Sequence, residues 1–501
     1  MKKDSFVANS ILLIMSNLTT GVLGFIFSIM LSRELGAEGM GLYGLVMPVY
    51  NLFICLICGG IVTAVSKISA EYYANKDYTN LKKTIKTTFS FNLFWSTFVV
   101  IIVFLFSRQI SKYIIKDIRT LNALRFTCPA MVFIAFSNTL KGYFYGTSKV
   151  GVPAFIDIFE KSVRILIIYT LFTRINLTSV TATVTAAYAA LCIGEAISLI
   201  SLYIYYKIDE KKLKHFSVRS ESKAQLLFNI LVISLPLCLN GFLSTALSTI
   251  STLVVPRRLV MSGIEYKEAL SLIGKFTGMS LNIVLFPQIV IGSISTLLIP
   301  DLSQSISKKD YYAVSERISS VLKLSFLLGI STMVICLVCG GSLGQMFYNR
   351  SDLGPYIKFA SISCPLFFTA STTFGVLNGL GKQSIILRNS MLVSVLEVII
   401  LYIFTAIPSI NIFGYGLSLI ITSILTLVLN LKVILDEIEI SFNGFDLIVN
   451  LLIALLLYYV MNILNGVTDS LSVTKNILLI TLGFSLPFAG SYILKYSKKR
   501  G

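Results

Sequence analysis

The stretch ILLIMSNLTTGVLGFIFSIML (residues 11–31) contains no Asp, Glu, Lys, Arg or His. As a helix it would extend about 31 Å at 1.5 Å per residue, the thickness of a bilayer's hydrocarbon core. A backbone in hydrocarbon must satisfy its own hydrogen bonds, so a run of this kind reads as a spanning helix. Lys2-Lys3 precede it and no convincing small-x-small cleavage site follows, which reads as a retained helix and not a signal peptide. Runs of the same character recur along the chain, with about fourteen centres near 20, 55, 96, 133, 163, 193, 240, 288, 332, 367, 397, 424, 456 and 485. The composition agrees. Of 501 residues 55% are hydrophobic and 13% charged, at a mean hydropathy of +0.82. Soluble domains carry roughly 25% charge, which excludes a water-soluble enzyme or a disordered chain. Unbroken apolar runs also exclude an outer-membrane barrel, whose strands alternate. An all-α polytopic membrane protein remains, and its net charge of +18 suits anionic headgroups.

The one histidine, His215, lies in the lysine-rich stretch Lys211-Lys212-Leu213-Lys214 and reads as a solvated loop residue. Eight cysteines include Cys55-x-x-Cys58 and Cys336-x-x-Cys339. Both pairs sit inside apolar runs, where inert buried thiols are expected. No metal, cofactor or nucleotide site is expected, and no catalytic residue: the chain offers neither a positioned base nor a long soluble loop.

Basic residues concentrate in the loop from Lys207 to Lys223 and in the tail Lys495, Lys498, Lys499 and Arg500. The inside-positive bias then places both termini in the cytoplasm, although Arg108, Lys112, Lys116 and Arg119 fall on the opposite side. Sliding the chain by 233 residues aligns Lys76-Asp77-Tyr78 with Lys309-Asp310-Tyr311, Gly142 with Gly375, Gly146 with Gly379 and Lys149 with Lys382. One offset serving two distant loops indicates a duplication, and an even shift of six helices makes the repeats parallel. The expected organisation is a six-helix lobe over 1–206, a basic linker over 207–224, a second six-helix lobe over 225–435, and a helix pair with basic tail over 436–501. Two such lobes imply a central cleft and rocking between inward-open and outward-open states.

Ionisable groups at bilayer depth are costly and so mark candidate sites. In the fifth predicted helix Asp157, Glu160, Lys161 and Arg164 follow at i, i+3, i+4 and i+7 and share one face. Asp157 can pair Lys161 and Glu160 can pair Arg164. A structural charge ladder and the wet wall of a transport cavity are both open readings. Further candidates are Arg33, Lys67, Arg125, Lys141, Glu195, Lys275, Lys323 and Glu397. Snorkelling to the interface accounts for Lys67 and Lys323. Pro256-Arg257-Arg258 sets two guanidiniums near a helix end, where such forks suit phosphate. Pro48, Pro129, Pro236, Pro287 and Pro365 interrupt apolar runs and mark bends. Gly36, Gly39, Gly41 and Gly44 follow no strand and read as a flexible turn, not a phosphate loop.

Gly59-Gly60 with Ala64-Val65-Ser66-Lys67, Leu140-Lys141-Gly142-Tyr143-Phe144-Tyr145-Gly146 and Glu160-Lys161-Ser162-Val163-Arg164 resemble the polysaccharide-export flippases. These belong to the multidrug/oligosaccharidyl-lipid/polysaccharide exporter superfamily. Val255-Pro256-Arg257-Arg258-Leu259, Pro300-Asp301-Leu302-Ser303 and Leu377-Asn378-Gly379-Leu380-Gly381-Lys382 resemble the sporulation branch of that family, and the likeness covers nearly the whole chain. The resemblance implies a plasma-membrane flippase of a spore-forming bacterium. Its cargo would be an undecaprenyl diphosphate-linked peptidoglycan or polysaccharide precursor, such as lipid II for the spore cortex. Lipid II flippases of this superfamily carry arginines in their first two helices. Here the first helix has no base between Lys3 and Arg33 and the second offers only Lys67. Headgroup binding would then rest on Arg33, Lys67, Lys141, Arg164, Arg257, Arg258 or Lys275. Asp157, Glu160, Lys161, Glu195 and Glu397 are the ladder and coupling candidates. With no nucleotide site, drive would come from a monovalent ion gradient or the membrane potential, worth about 2.3 kcal/mol per charge per 100 mV. The alternatives are a cation-coupled multidrug exporter, which would use Glu195 or Glu397, and a non-transporting scaffold for cortex synthesis.

Overall fold

The computed structural model describes residues 3–174, 179–213, 221–439, 444–467 and 473–498; His215 lies outside them. All regular structure among these residues is helical. The first six helices are α1 (Lys3–Cys58), α2 (Ile61–Ala74), α3 (Tyr78–Leu105), α4 (Leu121–Gly146), α5 (Gly151–Arg174) and α6 (Val180–Lys212). Then come α7 (Lys223–Met261), α8 (Tyr266–Ile273), α9 (Leu281–Leu285), α10 (Gln288–Ser307), α11 (Tyr311–Tyr348) and α12 (Gly354–Ser361). The chain continues with α13 (Cys364–Gly379), α14 (Gln383–Phe404), α15 (Phe413–Glu437), α16 (Gly444–Val467) and α17 (Val473–Lys498).

Every expected span centre falls inside one of these helices or, near residue 288, at the start of one. Ten helical runs among the described residues are long and apolar enough to cross a bilayer, or eleven when the pair bent by 56° at Ile362–Ser363 counts as one span. Three features lie between eleven and fourteen, one of them α17, whose apolar stretch Val473–Ala489 is too short to be counted. The run Ile11–Ala74 counts once although its 64 residues would make about 95 Å of helix, three hydrocarbon cores long. The helix Gly151–Arg174 carries five charged residues, Asp157, Glu160, Lys161, Arg164 and Arg174, and is excluded by them. Outward faces are apolar, as lipid requires: on α3 Phe94 is 73% exposed and Phe98, Ile101 and Leu105 accompany it.

The expected flexible turn at Gly36–Gly44 is not formed. Gly36 alone leaves the helical region (φ 64°) and kinks α1, while the helix runs on through Gly39, Gly41 and Gly44. At φ 64° an L side chain is strained, so glycine is what permits the kink. Pro48 and Pro129 stay inside helices, whereas Pro287 precedes α10 and Pro365 opens α13.

Contacts divide the chain into two compact units, Met1–Leu253 and Val254–Gly501. The early part of α7 packs in the first unit: Cys238 Sγ donates to Cys55 O at 3.3 Å and Thr249 Oγ1 to Pro48 O at 3.2 Å.

The 233-residue offset is reproduced in backbone detail. Lys76 and Lys309 both take positive φ (56° and 59°), and each is followed by an N-capping aspartate. Asp77 accepts from Asn80 N at 3.0 Å and Asp310 from Ala313 N at 3.0 Å. Lys116 and Asn349 repeat the left-handed residue, and the short 3-10 turns Ile118–Thr120 and Ser351–Leu353 follow in register. Side-chain packing repeats too. A Cβ at Gly142 would meet Val62 O and Val65 at 2.9 Å, and one at Gly375 would meet Ser295, the register mate of Val62, at 2.8 Å. The duplication inferred from a few coincidences is therefore built into both units. Removing either cap, Asp77→Ala or Asp310→Ala, is expected to cost about 1 kcal/mol, read as matched drops in the thermal midpoint of the purified protein. Unequal drops would show that the two corners carry different loads.

Candidate functional site

Helix α5 cannot be lipid-exposed on its charged face, since unpaired charges in hydrocarbon cost several kcal/mol. It packs instead on α1 and α6, and its charges are met from neighbouring helices. Arg164 Nη2 forms an ion pair with Glu160, one turn earlier, and lies 3.3 Å from Glu195 Oε1 on α6. The guanidinium also sits 5.9 Å from the Phe27 ring of α1. The expected pair of Asp157 with Lys161 is not made. Asp157 reaches across to Lys141 on α4 at 2.7 Å, because the helix crossing brings that ammonium closer than the one along its own helix.

The approach of α5 to α6 depends on Gly194. A Cβ there would stand 2.7 Å from Glu160 Oε1 and 3.2 Å from Arg164 Nε. Two buried polar atoms in this region have no hydrogen-bond partner among the described residues: Arg164 Nε and Tyr50 Oη. Buried polar groups are almost always satisfied, so orphans mark places where a ligand or water belongs. Tyr43 and Tyr50 of α1 lie within electrostatic reach of Arg164, and Lys141 and Lys161 within reach of Glu195. Tyr43 stacks on Tyr188 at 4.8 Å, whose hydroxyl donates to Tyr43 O at 2.8 Å, which fixes that wall. The result is a compact polar network inside the first unit, holding three cations and three carboxylates. A guanidinium between two carboxylates can exchange one acid for an incoming phosphate while keeping its charge compensated.

The other candidates sit elsewhere. Arg33 and Lys67 are exposed on α1 and α2. Arg125 donates to Ser107 Oγ at 3.2 Å and lies over Phe104. In the second unit Arg258 donates to Tyr402 O at 2.7 Å and stacks on that ring at 3.9 Å, and Arg257 beside it is half-buried. Lys275, within a π-helical segment Gly274–Ser280, pairs with Asp352 at 2.9 Å, an acid also held by Arg350. Lys323 is exposed. Glu397 on α14 borders a cavity and makes no ion pair among the described residues.

The model of the polysaccharide biosynthesis protein family matches residues 6–306. Stage V sporulation protein B of Bacillus subtilis (strain 168) is 25% identical over 443 residues, covering 88% of this chain and 86% of that protein. Lipid II flippase MurJ of the same organism is 23% identical over 386 residues, 72% of this chain and 70% of its own length. Among solved structures, lipid II flippase MurJ in an inward closed conformation superposes with a TM-score of 0.72 at 16% identity, covering 98% of this chain and 99% of that one.

Proposed function

The chain belongs to the polysaccharide biosynthesis protein family, whose flippase and exporter architecture it shares, and from that premise we propose that its cargo is a lipid-linked anionic precursor. The class favoured is an undecaprenyl diphosphate-linked muropeptide such as lipid II, carried for spore-cortex synthesis in the plasma membrane of a spore-forming bacterium. Both termini would lie in the cytoplasm, as the basic loop and tail suggest.

The observation that carries this reading is the Arg164 network. Its side chain is 13% exposed and charged at any physiological pH, and its buried Nε has no hydrogen-bond partner among the described residues. A diphosphate offers acceptor oxygens in the spacing a guanidinium fork takes bidentately. Lys141 and Lys161 supply further positive charge, and Tyr50 Oη a neutral donor. Transport proceeds by alternating access: the headgroup displaces a carboxylate from Arg164 on one side of the membrane and is displaced by it on the other. The lipid tail remains in the bilayer throughout, so the protein moves only the polar headgroup. Of the remaining cations, Arg257, Arg258 and Lys275 would serve only after release from the partners that now hold them.

The rival reading, a cation-coupled drug exporter, is favoured by one observation, the uncompensated carboxylate of Glu397 beside a cavity. Proteoliposomes separate the two. Protein-dependent appearance of labelled lipid II in the opposite leaflet, lost on Arg164→Gln and kept on Glu195→Gln, is the expected result. Efflux of an organic cation with no movement of lipid II would overturn it.

A further inference from the structure

The 233-residue register lays α14 on α5, and the charged face changes character between them. Asp157, Glu160, Lys161 and Arg164 fall on Ser390, Val393, Ser394 and Glu397. Lys141 falls on Phe374 and Glu195 on Val428. The second unit thus keeps one ionisable group at the position of Arg164, with the charge inverted and both counter-charges replaced by valine. The register mates Phe374, Ser390, Ser394 and Glu397 border one cavity of about 290 Å³, completed from α15 by Thr422, Ser423 and Thr426.

Glu397 has no opposing charge among the described residues. Its helix packs against α13 and α15. From α13 the cavity receives Phe367, Ala370, Ser371 and Phe374, none of them titratable. From α15 it receives hydroxyls, and half-buried Tyr415 is the titratable group within electrostatic reach. The nearest charge on α14 itself is Arg388, more than two turns away. Thr422 and Thr426 donate to carbonyls one turn back, at 2.7 Å each, which leaves their lone pairs facing the cavity. A space of this size with several acceptors has the room and the partners that ordered water needs.

Beside the cavity-lining Phe374, Ser390 and Thr426 the three helices are tied by an amide bridge. One turn beyond Thr426, Asn430 Nδ2 donates to Thr373 Oγ1 at 2.8 Å and its Oδ1 accepts from Asn389 Nδ2 at 2.9 Å. Asn389 Oδ1 in turn accepts from Arg388 Nε and Nη2 at 3.3 and 3.2 Å. Both asparagines are fully buried, at 1% and 0% exposure. The amide-to-amide bond pins α14 to α15, and the Thr373 hydroxyl that meets it is committed to Ala370 O at 2.6 Å.

We propose that Glu397 is a proton-exchanging carboxyl in a hydrated cavity, and that the Asn389–Asn430 bridge is the gate closing that cavity toward Arg388. Uptake forms an O–H bond on one carboxylate oxygen, with a hydronium in the cavity reverting to water; release passes the proton back to a cavity water. The proposal builds on the transport reading only for what the proton drives, since the exchange itself is measurable without cargo.

The test uses full-length protein in liposomes with an internal pH dye and a valinomycin-clamped potential. Wild type is expected to be proton-tight. Asn430→Ala, which breaks the bridge, is expected to raise proton leak about tenfold, the equivalent of one lost buried hydrogen bond. Adding Glu397→Gln to that variant should return the leak to the wild-type level. Asn430→Leu refills the gap with apolar volume and should stay tight; Asn389→Ala provides a second opening should Asn430→Ala not fold. A leaky Asn430→Ala that remains leaky with Glu397→Gln removes Glu397 from the path. Tight Asn430→Ala and Asn389→Ala variants, both folded, remove the gate. Neither outcome bears on lipid II movement, which is read separately.

Discussion

Replacing Arg164 by methionine is expected to destabilise the purified protein by about 3–5 kcal/mol, because it leaves Glu160 and Glu195 buried without their cation. The thermal midpoint in detergent reads this loss. The triple variant Arg164→Met, Glu160→Gln, Glu195→Gln removes all three charges together and should recover most of the stability, since a neutral, similarly sized replacement of a buried ion network is often tolerated. Transport should not recover with it. That split is what separates a binding network from a ladder that only ties α5 to α6. If the triple variant flips lipid-linked cargo at the wild-type rate, the charges are structural.

Gly146→Ala is expected to cost about 1–3 kcal/mol by overpacking, and Gly379→Ala less than half of that. The two glycines occupy the same register position where a helix crosses its neighbour, α4 on α2 and α13 on α10. A Cβ at Gly146 would press on the carbonyl of Ser66 and approach Ser69 Cβ to 2.7 Å, and backbone cannot move aside without bending α2. At Gly379 the nearest atoms are Leu302 Cβ and Cδ1, both at 3.0 Å; the Cδ1 methyl can turn away, and the Cβ contact is looser than the 2.7 Å at Gly146. Midpoints of the two variants, measured side by side, check the order. Equal losses would mean the two crossings are equally rigid.

Much of the fold was legible because bilayer depth imposes a length on every apolar run, and those runs mark themselves in α3, α4 and α11. The duplication was legible through Lys76-Asp77-Tyr78 and Lys309-Asp310-Tyr311, since a left-handed residue followed by an aspartate cap constrains sequence at both copies. Helical spacing also gave the Glu160–Arg164 pair, a contact within one turn. What spacing could not give were contacts between helices. Lys141 takes Asp157 from Lys161, Asp352 holds Lys275 from a distant loop, and Gly194 sets how closely α5 meets α6. The turn expected at Gly36–Gly44 failed because helix continues through glycine when both faces are packed; Gly39, Met40, Leu42 and Leu45 are all buried. One signal was present and passed over: Arg164 and Glu397 are separated by the repeat offset itself, which already places inverted charges at one duplicated position.

The central claim is that the Arg164 network receives a diphosphate headgroup. Native mass spectrometry of the purified protein with an undecaprenyl diphosphate-linked muropeptide tests it most directly. Wild type should retain the lipid, and the folded triple-neutral variant should lose at least about tenfold in affinity, the worth of one charge-assisted hydrogen bond. Equal retention by the two proteins would contradict it.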